Sequence, residues 1–312
     1  NPGMDPVEKE GLAKVETEEG VFFLRDLVDG ARTYYLGDSI HKDGTWQLSF
    51  LLKILDSAMR LHVQVHPTTG FANEVMGKPY GKLECYYILK VREGIDPYIR
   101  LGFQHSPSRE EWKAIVEAQD MEKMDACFEK IPVKPGEVWY IPGGMPHAIG
   151  EGITMLEIME PSDLVVRCEF SREGIVVPEE ARFMGRGLDF CLDIFDYTEY
   201  SKEEIIERCR IKPEILEKTD SCQRQRLVGE ALTPCFFVEK IEAWKPCEIV
   251  HNGKFTLGVV CSGSCILEQE GQQIHLKQGD SFAIAAAAER WSILPEEETE
   301  LVIVYPGKDM EK

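Results

Sequence analysis

The sequence has no long uninterrupted hydrophobic run and comparatively few basic residues. No apolar stretch in its 312 residues approaches the roughly 18 that a membrane-spanning helix needs, and the longest, Cys247–Cys265, is interrupted by His, Asn, Gly and Lys. We therefore expect no membrane partner. Thirty-five Lys and Arg against 55 Asp and Glu give a net charge of −20, which repels phosphate backbones and argues against nucleic acid as a partner. An anionic substrate would need a locally basic pocket.

The sequence also lacks the cysteine spacings of zinc fingers and redox centres, and it lacks a signal-peptide pattern. None of its ten cysteines forms a Cys-x-x-Cys pair. Several, such as Cys85 and Cys261, stand in apolar patterns that are typical of buried reduced thiols. The first residues, Asn1–Pro6, are polar and turn-like. These features predict a reducing, cytoplasmic location.

Strand patterns dominate the first half of the chain. Leu61–His66 and Ile153–Met159 alternate between apolar and polar residues, which predicts half-buried strands. The runs Glu84–Leu89 and Val138–Ile141 are rich in aromatic and branched residues and also predict strands. From Pro234 onward, short strand-like runs separated by Gly turns favour a sandwich or small barrel.

Helical patterns lie between these β regions. A helix is predicted over about residues 108–128, because Ser108 and Glu111 have the spacing of a capping box. Further short helices are predicted after Pro178 and from Ser201, whereas Lys212–Arg226 is polar and is interpreted as an exposed connector. The layout is therefore mostly β, with helices in the middle of the chain.

The strand Leu61–His66 carries an unusual polar face. His62, Gln64 and His66 leave the same side of the strand, while the intervening valines take the other. Three polar side chains on an inward face must be solvated or bound to a ligand. Taken alone, the pattern fits either an exposed edge strand or a metal site.

A second motif favours the metal site. Gly136, Pro142, Gly144 and His147 match the pattern G-x5-P-x-G-x2-H, the second signature of the cupin superfamily. In this pattern a strand enters from the first glycine, the Pro and Gly form a tight turn, and the histidine opens the next strand pointing inward. A structural turn with a satisfied histidine is the less favoured interpretation.

Four segments in order then narrow the family. The runs Leu61–Pro67, Gly81–Leu89, Pro135–Gly150 and Pro161–Arg167 together resemble the type I mannose-6-phosphate isomerases, and most of all their short bacterial form. The resemblance implies two cupin (jelly-roll) β-barrels with intervening α-helices. It implies a catalytic metal-binding domain at 1–180 with the helical insertion, a helical connector at 181–233, and a second, degenerate cupin domain without metal at 234–312.

The resemblance also implies one metal ion per chain and its ligands. The family holds zinc with residues that correspond here to Gln64, His66, Glu84 and His147, and all four are present. Two imidazoles and two oxygen ligands suit Zn²⁺, although Mn²⁺, Co²⁺ or Fe²⁺ could bind the same set. The implied reaction is aldose–ketose isomerisation of mannose 6-phosphate to fructose 6-phosphate through a cis-enediol, with a sugar phosphate as the small-molecule partner.

The resemblance also implies residues that contact the substrate. Arg167 and Lys82 match cations beside the reacting sugar, and both are predicted to be catalytic and substrate-binding. Asp163 matches an acidic residue near the pocket, and it is also a good turn residue. Arg167 could instead pair with a nearby glutamate on the surface. His62 replaces a small Ser that contacts the sugar phosphate in the family, so it either replaces that contact or fills the phosphate pocket.

The second β region and the open alternatives for the chain's function complete the prediction. The second β region repeats the cupin turn after Gly279, but with Ala285, Ala287 and Arg290 in place of Pro, Gly and His. It is therefore predicted to be structural.

The alternative functions for the whole chain are an isomerase of a different sugar or sugar phosphate, a metallo-cupin oxygenase, or a non-catalytic sugar-binding cupin.

Overall fold

The computed structural model describes residues 11–17, 19–37 and 46–307, and the polar start Asn1–Pro6 lies outside them. The chain forms two compact units. The central unit is Phe50–Lys212, and the terminal unit contains the described residues up to Ser49 and from Pro213 onward. These boundaries differ from the divisions drawn from the sequence after residues 180 and 233, because the short helices of 188–209 belong to the central unit and the strands of 214–228 belong to the terminal one.

The terminal unit contributes the first elements of the chain. These are β1 (Lys14–Thr17), β2 (Gly20–Phe23), α1 (Leu24–Gly30) and α2 (Arg32–Leu36). No helix in the described part of the chain is long and apolar enough to cross a membrane.

The central unit is built from twelve strands and five α-helices. Its strands are β3 (Leu51–Asp56), β4 (Gln64–Val65), β5 (Glu84–Val91), β6 (Tyr98–Leu101), β7 (Ile131–Pro132), β8 (Val138–Ile141), β9 (His147–Ile149), β10 (Ile153–Met159), β11 (Val166–Arg167), β12 (Ser171–Arg172), β13 (Ile175–Val176) and β14 (Arg210–Ile211). Its helices are α3 (Thr69–Glu74), α4 (Arg109–Ala118), α5 (Met121–Ala126), α6 (Leu188–Cys191) and α7 (Lys202–Cys209), with 3-10 turns at Glu179–Ala181 and Leu192–Ile194.

Two antiparallel sheets of the central unit enclose a core. One has the strand order β14-β8-β5-β10-β3 and the other has the order β11-β4-β9-β6-β7. Tyr86 and Trp139 of the first sheet pack with Leu101 and Ile149 of the second in one buried cluster. The outer face of the second sheet is covered by helices. The side chains that pack in this outer cluster include Val63, Val65, Trp112, Val116 and Met124.

The helical insertion is two helices rather than the single one predicted over 108–128. Its capping box is confirmed, since Ser108 accepts from the Glu111 amide and the Glu111 side chain accepts from the Ser108 amide. The helix stops at Gln119, which adopts the left-handed conformation with φ 50°. Asp120 then caps α5 by accepting a hydrogen bond from the Lys123 amide. A second N-cap thus interrupts what the apolar spacing alone predicts as continuous.

The terminal unit continues with ten further strands. They are β15 (Glu214–Lys218), β16 (Cys222–Val228), β17 (Phe236–Ala243), β18 (Cys247–Val250), β19 (Thr256–Ser262), β20 (Ser264–Gln269), β21 (Gln272–Lys277), β22 (Ser281–Ile284), β23 (Arg290–Pro295) and β24 (Thr299–Pro306). They form sheets of order β15-β16-β17-β24-β19-β22 and β18-β23-β20-β21. Ile241, Leu301 and Ile293 lie in the core that both sheets share.

The interpretation of Lys212–Arg226 as an exposed connector was wrong for most of its length. β15 and β16 form an antiparallel pair there. The strands look polar because ion pairs link them: Arg224 lies 3.7 Å from Glu217, and Arg226 lies 3.5 Å from Glu214. Cross-strand charges of opposite sign stabilise an edge pair without apolar alternation.

Candidate metal centre

Strand pairing brings three of the predicted site residues into one row. Gln64 on β4 lies directly opposite His147 on β9 and directly opposite Arg167 on β11. Directly opposed residues of antiparallel strands project from the same face. Because Val63 and Val65 pack against the helices, this row faces the interior between the two sheets.

The first residue of β5 meets that row from the facing sheet. Glu84 shares its face with Tyr86, which lies in the core between the sheets. Its Oε1 lies 3.1 Å from His66 Nε2, and its Oε2 lies 3.5 Å from His147 Nε2. One ligand atom from each of these three buried residues lies within 4.8 Å of the others. We call His66, Glu84 and His147 the triad.

Backbone carbonyls orient both histidines of the triad. His66 Nδ1 lies 2.8 Å from the Leu164 carbonyl, and His147 Nδ1 lies 3.0 Å from the Met145 carbonyl. With Nδ1–H donating in each case, both Nε2 lone pairs point toward Glu84. Such outer hydrogen bonds fix the tautomer that a metal-binding imidazole needs. Gln64 joins the group, since its Nε2 lies 3.2 Å from His147 Nε2 and donates to it.

The protonation states leave two acceptors facing each other. Burial lowers the pKa of His66 to about 4, so its ring is neutral at pH 7. Burial raises the pKa of Glu84, but the polar groups around it, His66, His147 and Lys82, outweigh burial and hold that pKa well below its usual value. Within the described residues, His66 Nε2 and Glu84 Oε1 are both buried without a well-aligned hydrogen bond, and the Lys82 ammonium, 3.1 Å away, is paired with Glu84 Oε1 alone. A cation between them would satisfy both, so the residues fit a metal ion.

Two cationic side chains flank the triad. Lys82 is buried, and its Nζ lies 3.1 Å from Glu84 Oε1. Arg167 is half-buried, and its Nη1 donates to the Ala181 carbonyl at 2.7 Å. Among the described residues, no carboxylate lies within 4 Å of Arg167, and Glu169 pairs with other arginines. The surface ion-pair alternative for Arg167 is therefore not what the structure contains.

The other two predicted substrate residues have different surroundings. His62 is half-buried, its Nε2 has no hydrogen-bond partner, and burial lowers its pKa. Asp163 is exposed and lines a cavity of about 400 Å³ with Lys78, Tyr80 and Met184 among others, and none of the four predicted ligands lines that cavity. No described contact joins Asp163 to the triad.

Two residues near the triad were missed by the sequence analysis. Tyr86 donates a 2.5 Å hydrogen bond from its hydroxyl to Glu84 Oε2. Glu157 on β10 is 5% exposed, and burial followed by the charge of Glu84 raises its pKa to about 7. A signal for Glu157 was present: it is the one charged residue in the alternating run Ile153–Met159, on the side that also carries the buried Met155.

Several known proteins are similar to this chain in sequence. Residues 232–306 match the family described as mannose-6-phosphate isomerase, cupin domain. The mannose-6-phosphate isomerase of Streptococcus mutans serotype c is 41% identical over 124 residues, which are 39% of this chain and 37% of that protein. The mannose-6-phosphate isomerase ManA of Bacillus subtilis is 38% identical over 117 residues, 38% of this chain and 35% of that protein. The matches thus span little more than a third of these relatives.

Solved structures match over most of the chain. The crystal structure of the mannose 6-phosphate isomerase from Bacillus subtilis has a TM-score of 0.69 at 22% identity, covering 93% of this chain and 83% of that one. A variant of phosphomannose isomerase from Salmonella typhimurium has a TM-score of 0.68 at 17% identity, covering 95% and 88%. At this level of identity the similarity concerns the fold. Together with the cupin-domain family match, it confirms the predicted mostly β cupin fold.

Proposed function

We propose that this chain is a metal-dependent aldose–ketose isomerase of the mannose-6-phosphate isomerase family, in keeping with the family match, the similar sequences and the shared fold. Its substrates are mannose 6-phosphate and fructose 6-phosphate. The observation that carries the proposal is the buried triad, with Gln64 and Arg167 beside it on one sheet face and Lys82 against Glu84.

Gln64, His66, Glu84 and His147 would hold the metal, and Zn²⁺ suits this mixture of imidazole and oxygen ligands. The bound ion supplies a Lewis acid that polarises the sugar carbonyl. Glu84 is the only formal charge among the four ligands, so a divalent ion leaves the centre with about one net positive charge.

The chain's own cations account for binding an anionic sugar. The protein carries a net charge of −20, so a sugar phosphate needs a local positive field. Lys82 and Arg167 supply it, and Arg167 has no carboxylate within 4 Å among the described residues to neutralise it. During proton transfer between C1 and C2, the same two side chains stabilise the negative charge that develops on the enediol oxygens. The ten cysteines are all free, which supports a reducing cytoplasm as its location.

The test is a coupled assay for fructose 6-phosphate formed from mannose 6-phosphate, with metal content measured on the same sample. We expect turnover that a chelator removes and Zn²⁺ restores. Full metal content without turnover would support the metal site but indicate that the substrate is another sugar or that the protein only binds sugars. Turnover that a chelator leaves unchanged would contradict the proposal. An oxygenase would consume O₂ instead, and Gln64 in place of a third histidine argues against that chemistry.

A further inference from the structure

A fully buried carboxylate lies outside the triad and holds three donors. Glu169 has 0% of its surface exposed. Its Oε1 accepts from Arg60 Nη1 at 2.6 Å and from the Val63 amide at 3.1 Å, and its Oε2 accepts from Arg172 Nε at 2.7 Å. Charge-assisted bonds of this kind are short and directional.

The Val63 contact ties Glu169 to the strand that carries the metal ligands. Val63 lies between His62 and Gln64, and its carbonyl also accepts from the Cys168 amide at 2.9 Å. Strand β4 itself is only two residues long. It pairs with β9 at the single position Gln64 and with β11 at Gln64 and Val65. The bonds at Val63 extend this short pairing by one residue toward Glu169.

Glu169 is in turn fixed by the helical insertion. Gln119, which ends α4, donates from Nε2 to the Cys168 carbonyl at 2.8 Å and accepts from the Phe170 amide at its Oε1 at 2.7 Å. The peptide groups on both sides of Glu169 are thus held by one side chain. The connection runs from α4 through Glu169 to the ligand strand.

Arg60, one of the two arginines that Glu169 binds, is largely shielded from solvent. Arg60 is only 7% exposed, and its other described ion pair is with Asp125, at 3.5 Å. Asp125 also pairs with Arg100. Removing the negative charge of Glu169 would therefore leave a buried guanidinium undercompensated, beside the strand that carries the ligands.

We propose that Glu169 is a positioning residue for the metal centre. Its carboxylate holds the segment that carries Gln64 and His66 at the distance from which these side chains reach Glu84 and His147. The inference rests on the metal site of the proposed function and is independent of which sugar is the substrate.

The test compares the Zn²⁺ affinity of Glu169→Gln with that of the wild-type protein, by competition with a chromophoric chelator at a temperature where both are folded. We expect affinity to fall about 10-fold, the low end of the loss seen when a direct hydrogen-bond partner of a metal ligand is removed, because Glu169 acts on the ligand strand through the Val63 amide. Glu239→Gln is the matched control. Glu239 is 3% exposed and accepts from Arg224 and Tyr305 in the terminal unit. Its replacement should lower the unfolding temperature and leave Zn²⁺ affinity unchanged.

Two further variants keep the test decisive if Glu169→Gln does not fold. Gln119→Ala should weaken Zn²⁺ binding several-fold, because it frees the backbone on both sides of Glu169. Arg172→Gln should leave the affinity within about twofold, since Arg172 binds the carboxylate on the side away from Val63. Unchanged affinity in a folded Glu169→Gln, or in Gln119→Ala, would overturn the inference. Wild-type protein that binds Zn²⁺ without isomerising mannose 6-phosphate would remove the proposed function only, and a loss of affinity in Glu169→Gln would still support the positioning role.

Discussion

Gly81 packs so tightly against Pro67 that a Cβ on Gly81 would lie 2.5 Å from the Pro67 carbonyl oxygen. The same oxygen accepts a hydrogen bond from the Lys82 amide at 3.0 Å. Gly143 approaches it from a third segment, where an added Cβ would lie 2.7 Å away. The three chain segments that carry the triad therefore converge on one carbonyl group, and they can do so only because two of them present a glycine.

We predict that Gly81→Ala destabilises the protein by about 1–3 kcal/mol, because the new methyl group meets rigid backbone rather than a movable side chain. Zn²⁺ affinity should fall as well, since the Lys82–Glu84 segment must shift. Urea unfolding and chelator competition measure the two effects. Gly70→Ala is the control, because its nearest neighbour would be Thr68 Oγ1 at 3.9 Å. Equal stability of the two variants would contradict the argument.

His147→Ala should lower Zn²⁺ affinity by more than about 100-fold, since losing a metal ligand lowers affinity more than losing a residue that hydrogen-bonds a ligand. Metal content after dialysis, measured by atomic emission, checks this. His251→Ala serves as control because His251 is half-buried in the terminal unit and bonds the Lys254 carbonyl. Full metal content in the His147 variant would remove this residue from the ligand set.

The sequence predicted the parts of the site that local geometry determines. The turn from Gly136 to His147 has fixed spacing because a Pro and a positive-φ glycine, Gly144 with φ 86°, shape it. The period of two in a strand placed Gln64 and His66 on one face, and the structure has them opposite the helix-packed valines. Three of the four ligands expected from the family resemblance lie together in the triad, and their binding of a metal stays a prediction.

The remaining features arise from contacts between distant strands, which a single sequence does not encode in its spacing. Glu157 approaches Glu84 because β10 pairs with β5, and Glu169 reaches Val63 across 106 positions of sequence. The break between α4 and α5 was missed because Gln119 is not a residue type that usually marks a left-handed cap. In each of these cases either the contacting residue is distant in sequence, or the residue type is unusual for the conformation it adopts.

Arg167→Ala should lower kcat about 100–1000-fold, the range found when a donor to a developing oxyanion is removed. Metal content should stay at the wild-type level, because the Arg167 side chain hydrogen-bonds the Ala181 carbonyl, and its pairing with Gln64 is through backbone that the substitution keeps. Arg167→Lys should recover part of the rate by restoring the charge without the guanidinium geometry. The control is Arg290→Ala, which removes an exposed ion pair with Glu248 in the terminal unit. Wild-type rates in the Arg167 variants would exclude it from the reaction.

His62→Ser tests whether the imidazole obstructs the sugar phosphate or contacts it. Burial lowers the pKa of His62, so at pH 7.5 the ring is neutral and offers no positive charge to a phosphate. Its Nε2 is buried without a hydrogen-bond partner. Serine would remove this unpaired ring nitrogen and, being smaller, would leave more room at position 62. We therefore expect the KM for mannose 6-phosphate to fall several-fold with kcat unchanged, as for a change in ground-state binding. His105→Ser, at an exposed histidine of the same unit, should leave KM unaltered. A higher KM in His62→Ser would mean that the neutral ring itself hydrogen-bonds the substrate.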